Sequence, residues 1–229
     1  MDQQFEEFFR ERFSSMLEGE KAKKVINYRT LNAKAEKGAI LFTGSSLMEQ
    51  FPVCEMAKSA GISKTIYNRG IGGSTTDDFL RDIDAVLLDL QPSRVFINIG
   101  TNDMTTRVYG NRWMEHLFEN YETIIRTALE KIAGVEIFLM AYYPTCPHLP
   151  GITEHERELL KERTKENIAE CNRRVSLLAE KYCQHYIDAN TGLTDENGET
   201  KTEYSVDGVH MYVSAYEVVF NNLRQYIEA

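Results

Sequence analysis

The sequence predicts an α/β fold in which helices cover both faces of a doubly wound, five-stranded parallel sheet. Five short runs rich in β-branched and apolar residues alternate with longer amphipathic segments along the chain. The short runs are nearly continuous in apolar residues, which is typical of strands buried on both faces of a parallel sheet. The sequence contains no internal repeat and no Pro/Gly/Ser-rich linker, so we expect a single domain.

The first 37 residues are expected to form a helical extension packed on the main domain, residues 38–229. Helical segments are predicted in this extension at residues 2–17 and about 20–36. Five apolar side chains recur at helical spacing in the first segment and predict a face that packs on the core. They are Phe5, Phe8, Phe9, Phe13 and Met16.

The main domain begins with the first of the five predicted strands, which cover residues 38–44, 64–70, 94–100, 135–143 and 184–189. Helical segments separate the strands and close the chain. Pro92 follows the first of these segments and is expected to stop it. The predicted helical segments cover residues 75–90, 112–133, 154–182 and 213–228.

Composition limits the classes of protein to which the chain can belong. Its 229 residues, of which 42% are hydrophobic and 27% charged, are enough to bury a sizeable core. No apolar stretch approaches the roughly 20 residues of a membrane-spanning helix. The N-terminus lacks the basic start and apolar run of a secretory signal. We therefore expect a cytoplasmic protein without a membrane span.

Charge and cysteine spacing exclude two further classes of site. A net charge of -9 would repel a phosphate backbone, so no nucleic-acid partner is expected. The cysteines show neither a C-x-x-C pair nor a histidine at metal-ligand spacing, so we expect reduced, mostly buried thiols, no metal and no cofactor. The four cysteines are Cys54, Cys146, Cys171 and Cys183.

Glycine-rich and polar stretches follow the predicted strands. GSS at residues 44–46 follows the first strand, GIGGST at 70–75 the second, and GTND at 100–103 the third. DGVH at 207–210 lies between the last strand and the last helix. Sites in open parallel sheets form at the carboxyl ends of strands, so these stretches are expected to meet there.

The residues in these stretches are suited to acyl transfer by a serine. The hydroxyl of Ser46 needs a base to accept its proton, and the imidazole of His210 is suited to that task. Asp207 can bind one ring nitrogen of His210 and fix the tautomer of the ring. The backbone amides of Ser46 and Gly73 and the side-chain amide of Asn102 can donate hydrogen bonds to an oxyanion.

Together and in this order, the four stretches resemble the SGNH hydrolases, also called the GDSL esterase and lipase family. The resemblance runs from about Ile40 to the C-terminus and implies the flavodoxin-like fold of that family. Ser45 stands where an aspartate is usual in the family. The resemblance also implies a catalytic triad of Ser46, Asp207 and His210, and an oxyanion hole of Ser46, Gly73 and Asn102.

Each stretch has another interpretation when it is taken alone. Ser45 and Ser46 can cap the following helix. Residues 70–75 can bind phosphate at a helix N-terminus, although they lack the G-x-G-x-x-G spacing and the Walker lysine. Asn102 and Asp103 can serve as turn residues.

The activity expected from the sequence is hydrolysis of carboxylic esters of small soluble substrates with short acyl chains, through an acyl-enzyme. A carbohydrate O-deacetylase, a lysophospholipase and a weakly active member that only binds a ligand remain alternatives. Residues 142–157, which contain three prolines, form either a substrate wall or lid or a plain surface connection. No particular oligomeric state is predicted.

Overall fold

The structure is a computed structural model that describes residues 3–229, except for the side chains of residues 3–11, 13 and 14. The apolar face predicted for Phe5, Phe8, Phe9 and Phe13 therefore lies outside the described side chains. Met16, the last member of that face, is 58% exposed, so the prediction that it packs on the core is wrong.

The sheet has five parallel strands, which confirms the predicted fold class. The strands lie in the spatial order β2-β1-β3-β4-β5, so the chain winds outward from β1 in both directions. All pairs of neighbouring strands are parallel. The strands are β1 (Ile40–Gly44), β2 (Ile66–Asn68), β3 (Arg94–Asn98), β4 (Glu136–Met140) and β5 (His185–Ile187).

Helices connect the strands, and none of those in residues 3–229 is both long and apolar enough to cross a membrane. Short 3-10 turns lie at Leu88–Leu90, Thr101–Asp103, Gly110–Arg112 and Thr202–Tyr204. The α-helices are α1 (Gln3–Asn32), α2 (Ser46–Glu49), α3 (Val53–Ser59), α4 (Thr76–Arg81), α5 (Ile83–Val86), α6 (Thr106–Tyr109), α7 (Trp113–Lys131), α8 (Glu154–Leu160), α9 (Lys165–Lys181) and α10 (Val213–Glu228).

Several helix boundaries differ from those predicted. The two N-terminal segments form the single helix α1, which contains Gly19; a mid-helix glycine costs only about 1 kcal/mol relative to alanine. The segment 75–90 is divided between α4 and α5 at Asp82, with φ -109° and ψ 19°, and again after α5 at the buried residue Leu87, with φ -146° and ψ -65°. The segment 154–182 is divided because the Thr164 hydroxyl accepts the N–H of Asn167 and caps α9.

Two hydrophobic layers cover the sheet, one on each face. Successive residues of a strand point to opposite faces, so Leu41 and Val95 belong to one layer and Phe42 and Phe96 to the other. Helices α1, α4, α5, α7 and α9 supply the first layer. Helices α2, α3 and α10 supply the second.

Two further predictions from the sequence concern the cysteines and the N-terminal extension. All four cysteines are free thiols, but Cys54 and Cys183 are exposed, so the expectation of mostly buried thiols is wrong for two of them. Helix α1 buries Val25 in the first hydrophobic layer. The division of the chain at residue 37 stays a prediction.

Candidate active site

The stretches singled out in the sequence lie at the carboxyl ends of neighbouring strands. Residues 44–46 end β1, which is flanked by β2 and β3. Residues 70–75 follow β2 and residues 100–103 follow β3, so both flank the end of β1. Residues 207–210 reach the same edge from the chain between β5 and α10. The sheet order therefore gathers parts of the chain that are far apart in sequence.

Ser46 is the first residue of α2, directly after β1. The turn that presents it requires glycine at position 44, where φ is +153° and a Cβ atom would lie 1.9 Å from the carbonyl oxygen of Asn98. Ser46 is partly exposed. The end of β1 thus passes close to β3 and turns the hydroxyl of Ser46 toward the edge of the sheet.

Ser46, His210 and Asp207 are in hydrogen-bonding contact. The Nε2 atom of His210 lies 2.9 Å from the Oγ atom of Ser46. The Nδ1 atom of His210 lies 2.6 Å from the Oδ2 atom of Asp207. Because an ionised carboxylate only accepts hydrogen bonds, Nδ1 carries the proton and Nε2 is free to accept one from the serine.

The hydrogen bonds around Asp207 keep its carboxylate ionised. Burial by itself raises the pKa of Asp207, but hydrogen bonds from the His210 ring and from the backbone amides of His210 and Val209 lower it well below its usual range. The Oδ1 atom of Asp207 accepts the two amide hydrogen bonds, at 2.8 Å from His210 and 3.0 Å from Val209. The carboxylate therefore orients the ring and keeps its negative charge beside it.

The loop that carries Asp207 and His210 packs tightly against the segment after β4. Gly208 has φ +93°, and a Cβ atom there would lie 2.9 Å from Cδ1 of Leu160 and 3.2 Å from the carbonyl oxygen of Cys146. The amide of Cys146 donates to the carbonyl of Gly208 at 2.8 Å. The segment that follows β4 therefore supports the position of His210.

The tyrosines of residues 142–157 belong to the core. Tyr142 and Tyr143 are buried, and the hydroxyl of Tyr142 donates to the carbonyl of Ile99 at 2.7 Å. The charged end of the segment forms the start of α8, where Thr153 and Glu156 make a capping box. Both tyrosines are therefore core residues, and they also line a small cavity beside Leu47 and Val209.

Two backbone amides predicted for an oxyanion hole have no acceptor among the described residues. They are the amides of Ser46 and Gly73. Gly73 has φ +75°, a conformation that favours glycine. The glycine stretch also lies beside the nucleophile, because a Cβ atom at Gly72 would be 3.6 Å from Cβ of Ser46.

The third predicted donor, Asn102, is held by two contacts. Its Nδ2 atom donates to the carbonyl of Ser74 at 3.0 Å, and its Oδ1 atom accepts from Nη2 of Arg163 at 3.3 Å. A side-chain amide has two N–H groups, so one is still available to a substrate oxygen. The contact with Ser74 also joins the stretch after β3 to the stretch after β2.

Arg163 is a site residue that the sequence did not reveal. It lies in the connection between α8 and α9, is 8% exposed, and also donates from Nε to the carbonyl of Thr101 at 3.1 Å. Burial lowers the pKa of Arg163 to about 10, although the charge of Asp207 opposes this change. A cation at neutral pH therefore lies against Asn102. The sequence predicted an uninterrupted helix there and carried no signal for this contact.

Asp103 joins the stretch after β3 to the N-terminus of α4. Its buried carboxyl group accepts hydrogen bonds from the backbone amide and the hydroxyl of Thr76. Burial raises the pKa of Asp103 to about 7, although the hydrogen bonds from Thr76 lower it. Asp103 also closes a 3-10 turn with Gly100, in agreement with its interpretation as a turn residue.

The hydroxyl of Ser45 has a different environment from that of Ser46. Ser45 is fully buried, and its Oγ atom has no hydrogen-bond partner within the described part of the chain. It precedes α2 but makes no side-chain cap. The structure thus places one serine of the pair in contact with His210 and the other in the interior.

Two cavities are lined in part by Arg163. One, of about 10 Å³, is lined by Leu47 and Val209, the sequence neighbours of Ser46 and His210, and also by Arg163. The other, of about 660 Å³, is lined by Arg163 and by polar residues from β5 onward, but not by any of Ser46, Asp207 and His210. Among the described side chains, no three from His, Cys, Asp and Glu are grouped so that they would hold a metal ion.

Comparison with known proteins identifies a family match and structural similarities. The model of the GDSL-like Lipase/Acylhydrolase family matches residues 55–218, which include Gly73, Asn102, Asp207 and His210 and begin after Ser46. No curated protein matches the chain.

Solved structures similar to this chain include one at 30% sequence identity. It is a protein from Streptococcus pneumonia described provisionally as a platelet activating factor, with a TM-score of 0.83 over 96% of this chain and 98% of that one. A GDSL-like lipase from Bacteroides thetaiotaomicron is 23% identical, with a TM-score of 0.72 over 89% and 97% of the two chains. A catalytic mutant of an acetylxylan esterase from Geobacillus stearothermophilus is 15% identical, with a TM-score of 0.62 over 85% and 96%. At their lower identities, the last two share the fold alone.

Proposed function

The chain belongs to the GDSL-like lipase/acylhydrolase family and is a hydrolase that acts on esters, and from this premise we propose a specific mechanism and substrate class. The protein is a serine esterase that cleaves carboxylic esters of small substrates through an acyl-enzyme on Ser46. The observation that carries the proposal is the continuous contact from Ser46 through His210 to Asp207, at 2.9 and 2.6 Å.

In this mechanism the Ser46 hydroxyl attacks the ester carbonyl carbon while Nε2 of His210 accepts its proton. The resulting oxyanion receives hydrogen bonds from the amides of Ser46 and Gly73 and from the side chain of Asn102. His210 returns the proton to the leaving alcohol, and the acyl group stays on Ser46. His210 then deprotonates a water molecule that attacks the acyl-enzyme, which releases the carboxylic acid and restores the serine. Asp207 holds the ring throughout.

Short acyl groups are the proposed substrates because the net charge of -9 disfavours the anionic lipid surfaces at which long-chain esters are found. The cavity next to Leu47 and Val209 measures about 10 Å³, which is room for about one water molecule. A long acyl chain would need an extended apolar groove to gain binding energy from its methylene groups. A cytoplasmic location and the absence of a nucleic-acid partner stay predictions from the sequence.

The alternative that the chain only binds a ligand depends on Ser45 standing where an aspartate is usual in the family. Ser45 is fully buried, and its hydroxyl makes no hydrogen bond to His210 or Asp207. Both contacts of the proposed triad form with serine at position 45. This observation favours an active enzyme over a pure binding protein.

The proposal is tested by esterase assays on p-nitrophenyl acetate with two serine variants. We expect Ser46→Ala to lower kcat by about 10⁴-fold or more, because the nucleophile is lost. Ser45→Ala is the matched control and should retain most of the activity, since removing an unpaired buried hydroxyl breaks no hydrogen bond. A serine-directed phosphonate should label Ser46 in the wild type. Equal losses in both variants would contradict the assignment of Ser46.

A further inference from the structure

One face of α1 contacts the glycine stretch beside the nucleophile. Tyr28 donates its hydroxyl to the carbonyl of Gly70 at 2.7 Å. One turn further along, Oδ1 of Asn32 accepts from Nε of Arg69 at 2.9 Å. Val25 lies on the same side of the helix and is buried in the core. This side of α1 therefore packs on the main domain where β2 ends.

Lys24, on the same side of α1, reaches the site through Glu49. Its Nζ atom lies 2.5 Å from Oε1 of Glu49, with side-chain exposures of 34% and 29%. The Oε2 atom of Glu49 accepts the amide N–H of Gly72 at 2.5 Å. Glu49 belongs to α2, one turn after Ser46. A single carboxylate thus joins α1, the helix of the nucleophile and the glycine stretch.

Lys21 makes a second connection at the other end of the stretch. Its Nζ atom lies 2.8 Å from Oδ2 of Asp78, and both side chains are largely buried. The same oxygen of Asp78 accepts the amide N–H of Thr75 at 3.1 Å. Burial raises the pKa of Asp78, but the hydrogen bond from Lys21 and the other contacts lower it below its usual value. The carboxylate therefore remains charged between Lys21 and the N-terminus of α4.

Gly73 lies between these two connections, and its amide is one of the proposed oxyanion donors. Donors of this kind stabilise a transition state only when they are held in place before the reaction, and small displacements reduce the rate strongly. We infer that α1 holds the oxyanion-hole stretch in its productive position, and that Lys24 and Glu49 are positioning residues for ester hydrolysis. The inference rests on the proposed function. Helix α1 lies outside residues 55–218, so the family match does not supply this role.

The decisive variants are Lys24→Met and Lys23→Met. Lys23 is the matched control because it is 70% exposed and pairs at 2.5 Å with Glu20, on the same helix. On p-nitrophenyl acetate, we expect Lys24→Met to lower kcat by about 10-fold while KM changes less than about 2-fold, since transition-state donors are displaced. Lys23→Met should match the wild type, and Lys24→Arg should restore most of the lost rate. Equal kcat values for Lys24→Met and Lys23→Met would overturn the inference.

Glu49→Gln tests whether Lys24 acts through the carboxylate. The glutamine keeps a carbonyl oxygen for the amide of Gly72 but loses the ion pair. We expect the double variant Lys24→Met/Glu49→Gln to be no slower than the slower single variant, because both changes remove one interaction. If the reductions in kcat of the two single variants multiply in the double variant, Lys24 does not act through Glu49.

A readout that does not depend on activity separates this inference from the proposed function. The hydrogen bond to Glu49 protects the amide of Gly72, so its hydrogen exchange should be about 10-fold faster in Lys24→Met than in Lys23→Met. Unchanged exchange overturns the inference even if the wild type is an active esterase. Faster exchange in Lys24→Met, together with a wild type that cleaves no ester, would support the connection of α1 to the glycine stretch but refute the proposed function. Denaturant unfolding of both variants verifies that each is folded in the assay.

Discussion

At the scale of residues, two adjacent and chemically identical serines have opposite environments. Ser46 opens α2 and lies 2.9 Å from Nε2 of His210, whereas Ser45 is fully buried. The sequence identified Ser46 through its place in the GSS stretch and its family resemblance. The burial of Ser45 could not be predicted, because it depends on how β1 passes β3.

Asn102→Ala tests the proposed oxyanion hole. We expect kcat to fall about 100-fold or more with little change in KM, because the amide stabilises the developing negative charge more than the bound ester. Steady-state kinetics on p-nitrophenyl acetate measure both constants. Asn197→Ala, in an exposed turn, is the control. A large increase in KM at unchanged kcat would instead mean that Asn102 binds the ground state.

Asp103→Asn tests the buried carboxyl that joins β3 to α4. Because burial raises the pKa of Asp103 from 3.8 to about 7, the folded protein holds a proton that the unfolded chain releases between those values. The free energy of unfolding of the wild type should therefore fall as pH rises from 5 to 8. Relative to Asp103→Asn, the fall should be on the order of 2 to 3 kcal/mol.

Urea unfolding of both proteins across this pH range measures the difference. The variant has no titrating group at position 103, so it removes the contribution of every other residue from the comparison. A difference that stays constant or grows in favour of the wild type with rising pH would show that the hydrogen bonds from Thr76 outweigh burial.

At the scale of elements, strands were predicted more accurately than helix boundaries. All five strands lie within the ranges expected from their apolar runs, because burial on both faces leaves a clear local pattern. The segment 154–182 keeps one amphipathic pattern across α8 and α9, so periodicity alone does not reveal the break at Thr164. The break matters because it contains Arg163.

Phe96→Ala tests the centre of the sheet. The ring of Phe96 is fully buried and stacks on Phe42 of β1 and Phe138 of β4, with centroids 4.4 and 4.7 Å away. Truncation should lower the free energy of unfolding by about 3 to 5 kcal/mol, because it removes buried surface and leaves a cavity. Val108→Ala, at an exposed site, should change it by less than about 0.5 kcal/mol. Urea denaturation compares the variants. A decrease in the free energy of unfolding below about 1 kcal/mol for Phe96→Ala would show that neighbouring side chains move to fill the cavity.

At the scale of the whole molecule, the chain is acidic and the cavity beside Leu47 and Val209 is small. The net charge is -9, and the cavity beside Leu47 and Val209 measures about 10 Å³. An enzyme that works on lipid surfaces usually presents an apolar or basic face to them. These properties favour small substrates over lipids.

A series of p-nitrophenyl esters tests the preference for short acyl chains. We expect kcat/KM to fall beyond about four carbons, because each further methylene could contribute about 0.8 kcal/mol only if it were buried. Ser46→Ala gives the background rate for each ester. A maximum on octanoyl or longer esters, below their micelle-forming concentrations, would refute the short-chain proposal and favour a lysophospholipase.

The sequence by itself determined the five parallel strands, the family and the order of the stretches at the strand ends. These are local properties, because they depend on apolar runs and on residues separated by one to three positions. The tertiary structure decided that Arg163 contacts Asn102, that Glu49 joins Lys24 to the amide of Gly72, and that Ser45 faces the interior. Such contacts join residues that are distant in sequence and that the sheet order brings together. Periodicity and spacing along the chain are local patterns, so they do not predict which of these distant residues are in contact.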